Sequence, residues 1–170
     1  MPRAKKGGHR GGGSVIAFID SGADGRRLAI DQVEGVWSDD PDDDPLVDQV
    51  GHGSMTALIA ASRADVNGFD GIAPDAKVYI LKPKRDERGV LSTAGLMRAT
   101  DHIAQHAFKT GKRVIVNNSW GLWGCKPRYM ACAMIMTRFY VRADRRGLLQ
   151  AVWAAGNNHL HDCPQPTSNW

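Results

Sequence analysis

The stretch VIAFID, residues 15–20, follows a glycine cluster and consists of five apolar residues and a terminal aspartate. Several of the five are β-branched, and such a short, continuously apolar run is typical of a buried β-strand. Three later stretches share this character: KVYILK at residues 77–82, RVIVNNS at 113–119 and LLQAVWAAGNN at 148–158. The chain is therefore expected to contain four buried strands.

Helical patterns occupy the segments between these strands. Residues 52–62 are rich in Ala, Leu, Ile and Met. Residues 92–112 place apolar side chains at helical spacing between a Ser92 cap and a Gly111 stop. A third helix is predicted over residues 127–147, which begin with a proline. Because continuously apolar strands alternate with helices, the sequence predicts an α/β fold of three layers, with a mostly parallel sheet and helices on both faces.

Length and composition suit one globular domain, with 170 residues of which 42% are hydrophobic and 24% charged. Residues 1–13 are basic and glycine-rich, so we expect a flexible leader there and a domain over residues 14–170. The leader holds much of the net charge of +4. A solvated tail is favoured over a nucleic-acid-binding arm, so no nucleic-acid partner is expected.

No apolar run approaches the ~18–20 residues that cross a bilayer, so no membrane partner is expected. No signal-peptide pattern is recognised, and the location in the cell stays open.

The three cysteines, Cys125, Cys132 and Cys163, form no CxxC pair, which argues against a zinc site. One bridge between Cys125 and Cys163 and three free thiols are both compatible with the sequence. The redox compartment therefore stays open as well.

Polar residues stand directly after three of the four predicted strands. Asp20 follows the first strand, residues 117–119 end the third, and Asn157 follows the last. The carboxyl ends of parallel strands meet at one edge of a sheet, where such folds bind their ligands. The stretch KVYILK instead ends in Lys82 and Pro83, to which we assign no chemistry.

His52 lies between two glycines at a predicted helix start and adds a group that exchanges protons near neutral pH. Asp20 could accept its Nδ1 proton and fix the tautomer, and the Asn157 amide could stabilise a developing oxyanion. Ser119–Gly121 could form an extended edge that pairs with a peptide backbone. Taken singly, each of these residues is more often a cap or turn residue. Together they fit nucleophilic acyl transfer.

Five segments in this order resemble the subtilisin-like serine proteases, or subtilases. They are VIAFIDSGAD, GHGSMTALIAAS, GIAPDAKVYILK, VIVNNSWG and AVWAAGNN, and they span residues 15 to about 158. The resemblance implies catalytic roles for Asp20 and His52 and an oxyanion-hole role for Asn157. It assigns substrate binding to three consecutive residues, Ser119, Trp120 and Gly121. It further implies a serine endopeptidase that acts on peptides or proteins and requires no cofactor.

One element of the subtilase pattern has no counterpart in the sequence. The family's nucleophilic serine lies in a Gly-Thr-Ser segment downstream of the oxyanion asparagine, and no Gly-Thr-Ser occurs here. Ser54 is two residues from His52, and Ser168 has no helix after it, so we reject both as nucleophiles. The chain is expected to be the front, incomplete part of a catalytic domain that ends before the nucleophile and is inactive alone. Alternatively, a second chain supplies the serine, or the chain is a pseudoprotease that only binds peptides.

Two acidic segments could hold a hard cation. In RADVNGFDG, the side chains of Asp65, Asn67 and Asp70 offer oxygen ligands of the kind that calcium takes. The resemblance adds that many subtilases bind calcium in the loop after the histidine helix. Structural calcium is therefore a candidate ligand, and an ordinary polar turn is the alternative. The acidic run at residues 39–44 could likewise hold calcium or select basic substrate residues.

Overall fold

The computed structural model describes residues 8–87, 90–121, 134–138, 140–142 and 147–154. They include a sheet of five strands: β1 at Val15–Ile19, β2 at Val33–Ser38, β3 at Lys77–Lys82, β4 at Val114–Asn118 and β5 at Leu149–Trp153. All neighbouring strands run parallel, in the order β2-β3-β1-β4-β5. The helices include α1 at His52–Ala61, α2 at Ala64–Asn67 and α3 at Thr93–Thr110, and residues 134–138 and 140–142 are also helical.

Alternate residues of the central strand β1 belong to two separate cores. Val15, Ala17 and Ile19 pack in a cluster with residues of α3, whereas Phe18 packs in a cluster with residues of α1. Successive side chains of a strand point to opposite faces of the sheet, so α1 and α3 cover opposite faces. The predicted α/β class, with a parallel sheet between helices, is therefore confirmed.

Helices α1 and α3 begin where the sequence predicts. α1 starts at His52 and ends one residue before the predicted boundary. Its buried residues are all small: Gly53, Ala57 and Ala61. At α3, the Ser92 side chain caps the N-terminus and Gly111, with φ +66°, ends the helix. The small buried residues let α1 lie close to the sheet, so that its first turn reaches the end of β1.

Strand β2 has no counterpart among the four predicted strands. Among the described strands it pairs with β3 alone, at the edge of the sheet, and its residues are exposed or half-buried. Its sequence, VEGVWS, mixes Glu34 and Gly35 with apolar residues and lacks the continuous apolar run of the central strands. A Cβ at position 35 would lie 2.6 Å from the ring of Tyr79, so glycine lets the strand pass this ring. The prediction of four strands is therefore wrong, because it misses this edge strand.

Part of the predicted leader packs against the domain. The Arg10 guanidinium pairs with Asp70 at 3.0 Å and with Asp75 at 2.9 Å. At Gly11, whose φ is +87°, a Cβ would lie 2.7 Å from the Cβ of Ala73. Arg10 and Gly11 therefore contact the fold although they lie within the predicted leader, and the domain boundary after residue 13 stays a prediction.

The third predicted helix is described only in part. Residues 134–138 and 140–142 are helical, within the predicted range of 127–147. Cys125, Cys132 and Cys163 lie outside the described residues, so both thiol alternatives stay predictions. In the described part of the chain, no helix combines the length and the apolar character needed to cross a membrane.

Candidate active site

Asp20 and His52 meet at the carboxyl end of β1. Asp20 directly follows this strand and is 4% exposed, and His52 is the first residue of α1. His52 Nδ1 lies 2.7 Å from Oδ1 and 3.0 Å from Oδ2 of Asp20. With Nδ1 donating to the carboxylate, Nε2 is the ring nitrogen that can accept a proton. The His52 side chain is 51% exposed, so a substrate can reach the ring.

Further hydrogen bonds hold the Asp20 carboxylate in place. Ser21 N donates to Oδ1 at 2.8 Å, and the Thr56 hydroxyl, whose nearer acceptor is the Gly53 carbonyl at 2.9 Å, lies 3.4 Å from Oδ2. Thr56 lies one helical turn after His52, so the helix that carries the imidazole also contacts its partner. The Asp20 backbone N donates to the carbonyl of Leu81 in β3 at 3.0 Å. β3 therefore holds the backbone of Asp20, and the carboxylate contacts Ser21 and the first turn of α1.

The first turn of α1 is hydrogen-bonded to the segment that follows Asp20. Gly53 N donates to Ser21 Oγ at 2.9 Å, and Asp24 N donates to Ser54 Oγ at 2.9 Å. The first N–H groups of a helix have no partners within the helix, and Ser21 satisfies one of them. These bonds set the position of the helix start relative to Asp20.

Asp48 is a site residue that the sequence patterns miss. Its carboxylate accepts hydrogen bonds from Gly51 N at 2.9 Å, Ser54 N at 2.8 Å and Ser54 Oγ at 2.7 Å. The N-cap residue, Gly51, has no side chain, so Asp48 caps α1 from outside and faces the positive end of its dipole. Burial raises the pKa of Asp48, but the hydrogen bonds from Ser54 and Gly51 outweigh burial and lower it to about 2. The sequence does hold a signal for Asp48: a carboxylate lies shortly before a helix whose N-cap residue has no capping side chain.

The Ser54 hydroxyl forms two hydrogen bonds within this cap. The hydroxyl donates to Asp48 and accepts from the backbone N of Asp24. It is therefore directed away from a role as the partner of His52, in line with its rejection as a nucleophile. Ser168 lies outside the described residues.

The predicted substrate-binding segment, Ser119–Gly121, begins where β4 ends. Because β4 lies next to β1 in the sheet, the segment lies at the same edge as Asp20. Ser119 Oγ accepts a hydrogen bond from Asn117 Nδ2 at 2.8 Å. The Trp120 ring packs edge-on against Trp153, with ring centroids 5.1 Å apart, and Gly121 is exposed.

Asn118, the last residue of β4, is one of the polar residues 117–119 that the sequence marks at this strand end, but its buried, supporting contacts were not predicted. It is fully buried, donates to the Val152 carbonyl at 3.4 Å and accepts from the Tyr140 hydroxyl at 3.4 Å. Burial raises the pKa of Tyr140 to about 12, so its hydroxyl remains a donor. The predicted oxyanion residue, Asn157, lies outside the described residues, and its role stays a prediction.

Nearly the whole chain matches one protein family. Residues 11–170 match the family model described as the subtilase family, Peptidase_S8. The chain belongs to the subtilase family. Mycosin-3 of Mycobacterium tuberculosis (strain ATCC 25618 / H37Rv) is 31% identical over an alignment of 116 residues that covers 62% of this subtilase and 25% of Mycosin-3.

Solved structures share the fold of this subtilase. Sphericase matches with a TM-score of 0.68 and 23% identity, over 89% of this chain and 48% of sphericase. The CspB protease of Clostridium perfringens matches with a TM-score of 0.71 and 19% identity, over 92% and 38% of the two chains. MycP1, solved with its N-terminal propeptide removed, matches with a TM-score of 0.60 and 26% identity, over 94% and 48%. The chain thus spans between a quarter and a half of the length of these relatives.

The three predicted calcium ligands of this subtilase have separate partners. Asp65 pairs with Arg63 at 2.5 Å, and Asp70 pairs with Arg10 at 3.0 Å. Asn67 Nδ2 donates to a backbone carbonyl at 2.8 Å. Among the described residues, no group of three or more His, Cys, Asp or Glu side chains is arranged to hold a metal ion. The three side chains thus bond to separate protein groups in this structure, and calcium binding by Asp65, Asn67 and Asp70 stays a prediction.

The acidic run at residues 39–44 is engaged within the protein. Three of its carboxylates form ion pairs: Asp39 with Arg98 of α3, Asp40 with Lys84 after β3, and Asp43 with Lys82 at the end of β3. Hydrogen bonds from the Arg98 guanidinium lower the pKa of Asp39. These pairs hold the run against the domain, and its use in binding calcium or basic substrate residues stays a prediction.

Proposed function

We propose that the chain forms the Asp–His part of the catalytic centre of a serine endopeptidase. The observation that carries this proposal is the 2.7 Å contact between His52 Nδ1 and Asp20 Oδ1, on a half-exposed imidazole. An imidazole held in this way keeps its second nitrogen ready to take a proton from a hydroxyl. Membership of the subtilase family supports the same catalytic function.

In the proposed reaction, His52 is the general base. Its Nε2 takes the proton of a serine hydroxyl as the serine oxygen attacks the carbonyl carbon of the scissile peptide bond. The same nitrogen then gives the proton to the leaving amine. Asp20 holds the imidazole in the required tautomer and stabilises the imidazolium that forms beside it. A positioned base of this kind contributes roughly 10²–10⁴ to the rate.

Two further segments complete the proposed site. Asn157 donates its side-chain amide to the oxyanion of the tetrahedral intermediate, an interaction worth about 3–4 kcal/mol in such sites. Ser119–Gly121 pair with the extended backbone of a peptide or protein substrate. The position of Ser119 after β4, beside the strand that ends at Asp20, supports a substrate path along this edge of the sheet. No step of this reaction needs a cofactor.

The nucleophilic serine is proposed to come from polypeptide outside these 170 residues. The sequence contains no Gly-Thr-Ser segment, and the Ser54 hydroxyl is engaged by Asp48. The serine would reach His52 either in a longer form of this chain or from a second chain. A non-catalytic peptide-binding pseudoprotease is the second candidate function, and the missing Gly-Thr-Ser segment is the observation that favours it.

Labelling with a fluorophosphonate probe separates the two functions. We expect the 170-residue chain to remain unlabelled and the product of the full reading frame to be labelled. Asp20→Asn in the full product should reduce peptide hydrolysis by roughly 10⁴-fold, the loss that follows removal of the orienting carboxylate from such a triad. A full product without labelling would instead favour the pseudoprotease.

The histidine variants provide the matched comparison. His52→Ala should abolish labelling of the full product, because it removes the proposed base. His9→Ala should leave labelling unchanged, since His9 is exposed and lies near the N-terminus. Undiminished labelling of His52→Ala, or labelling of the isolated chain at Ser54, would contradict the proposed roles.

A further inference from the structure

Lys82, the last residue of β3, carries a buried ammonium group. Its side chain is 6% exposed, and its Nζ donates to residues 43–47, which we name the acidic turn. The acceptors are Asp43 Oδ1 at 2.5 Å, Val47 O at 2.7 Å and Asp44 O at 3.2 Å. All three N–H groups therefore have acceptors, which a buried ammonium group needs to offset its loss of hydration.

The acidic turn is also bonded to the segment that follows Asp20. Its carbonyls accept hydrogen bonds from Ala23 N and Gly25 N, each at 2.9 Å. At Gly22, whose φ is +103°, a Cβ would lie 2.9 Å from the nearest carbonyl oxygen of the turn and 3.3 Å from Cδ of Lys82. The acidic turn is thus packed between Lys82 and the backbone that leads away from Asp20.

Asp48 joins the acidic turn to α1. It directly follows Val47, whose carbonyl accepts from Lys82 at 2.7 Å. Its carboxylate accepts from the backbone N and the hydroxyl of Ser54, at 2.8 and 2.7 Å. A displacement of the acidic turn would therefore move Asp48 and, with it, the first turn of the helix that begins at His52.

We propose that Lys82 is a positioning residue for the Asp20–His52 pair. This inference rests on the proposed function, in which that pair is catalytic. Lys82 acts through the acidic turn, which holds the backbone after Asp20 on one side and Asp48 on the other. A misplacement of about 1 Å can cost roughly 10² in rate, so a fixed turn has a direct effect on the reaction. The sequence prediction that the end of β3 carries no chemistry is revised accordingly.

The hydrogen bond between His52 and Asp20 can be measured by NMR in the chain labelled with ¹⁵N-histidine. An imidazole Nδ1–H that donates to a carboxylate gives a proton resonance at low field. The His52 resonance is assigned by its loss in His52→Ala. We expect Lys82→Met to lose this resonance while the protein remains folded. Lys77→Met is the matched control at the opposite end of β3, where Lys77 Nζ donates to the Asp31 carbonyl, and it should keep the resonance. Retention of the resonance in folded Lys82→Met would overturn the inference.

A second variant covers the case in which Lys82→Met does not fold. That substitution leaves the Asp43 carboxylate without its partner, whereas Lys82→Met/Asp43→Asn removes both charges. Loss of the His52 resonance in the folded double variant supports the positioning role. Retention of the resonance, or failure of the double variant to fold, overturns it. Absence of the resonance from the unsubstituted chain would instead overturn the proposed function, on which the inference depends.

Discussion

A Cβ atom at Gly53 would lie 2.0 Å from the carbonyl oxygen of Gly22, far inside van der Waals contact. Gly53 is the second residue of α1 and is buried, and Gly22 belongs to the segment that follows Asp20. The two backbones can approach this closely only because position 53 has no side chain. This approach brings the start of α1 within reach of Asp20 and sets the distance between Asp20 and His52.

Gly53→Ala is expected to destabilise the fold and to separate Asp20 from His52. The added methyl group must displace the helix or the Gly22 backbone, and overpacking of this kind costs about 1–3 kcal/mol. The free energy of unfolding in urea measures the first effect, and the His52 Nδ1–H resonance measures the second. Gly12→Ala is the control: its Cβ would meet nothing within 4 Å, and a change within about 0.5 kcal/mol is expected. Equal stability of the two variants would contradict the role of Gly53.

The central part of the fold follows from local sequence. Strands such as β1 are buried on both faces and therefore have a continuous apolar pattern, which the sequence displays directly. α3 has both of its ends marked, by Ser92 and Gly111. Strand β2 could not be found in this way, because an edge strand with a half-exposed face needs no apolar run. Its pairing depends on β3, a partner distant in sequence.

Some residues of the candidate site can likewise be predicted from the sequence, and others cannot. Asp20 and His52 stand out because each lies at the end of a recognisable element. Lys82 has no such local signal, since its contacts are made between distant segments, and Asp48 is marked only by its place shortly before a helix whose N-cap residue has no side chain. Asp43 and Lys82, for example, are 39 residues apart in the chain. Roles of this kind emerge only when the strand order and the helix position are known.

Asp48→Asn is expected to reduce the dependence of stability on acid pH. The pKa of Asp48 is about 2 in the folded chain, against an ordinary value of 3.8, so its stabilising effect is complete above about pH 4. The effect is lost as the pH falls through about 2, because the protonated carboxyl no longer accepts the bonds from Ser54 and Gly51. Allowing for solvent screening of this partly exposed group, the loss is roughly 1 kcal/mol. Urea unfolding of both proteins between pH 5 and about pH 2 measures it, and identical pH profiles would contradict the prediction.

Arg98→Met is expected to destabilise the chain because it leaves the Asp39 carboxylate buried without its partner. The Asp39 side chain is 5% exposed, and Arg98 donates to it at 2.6 and 2.7 Å. An unpaired buried carboxylate costs about 1–3 kcal/mol, and Arg98→Lys should recover only part of this since lysine cannot form the two-pronged contact. Lys84→Met is the comparison, because its pair with Asp40 is more exposed and is worth less than about 1 kcal/mol. Urea unfolding free energies in which Lys84→Met costs as much as Arg98→Met would rule this out.

His102→Gln is expected to flatten the pH dependence of stability near neutrality. Burial, followed by the nearby charges of His106 and Lys109, lowers the pKa of His102 below its ordinary value of 6.5, although Asp101 opposes this. A group whose pKa is lowered by folding stabilises the native state fully above pH 6.5, and that contribution is lost as the pH falls through its folded-state pKa. His102 Nε2 is hydrogen-bonded to the Tyr79 hydroxyl at 2.8 Å, and glutamine can keep such a bond without titrating. Unfolding free energies measured from about pH 7.5 to about pH 5 should therefore fall more steeply for the unsubstituted chain than for His102→Gln. Parallel curves would show that His102 does not contribute the proton uptake on unfolding that its half-buried position on α3 predicts.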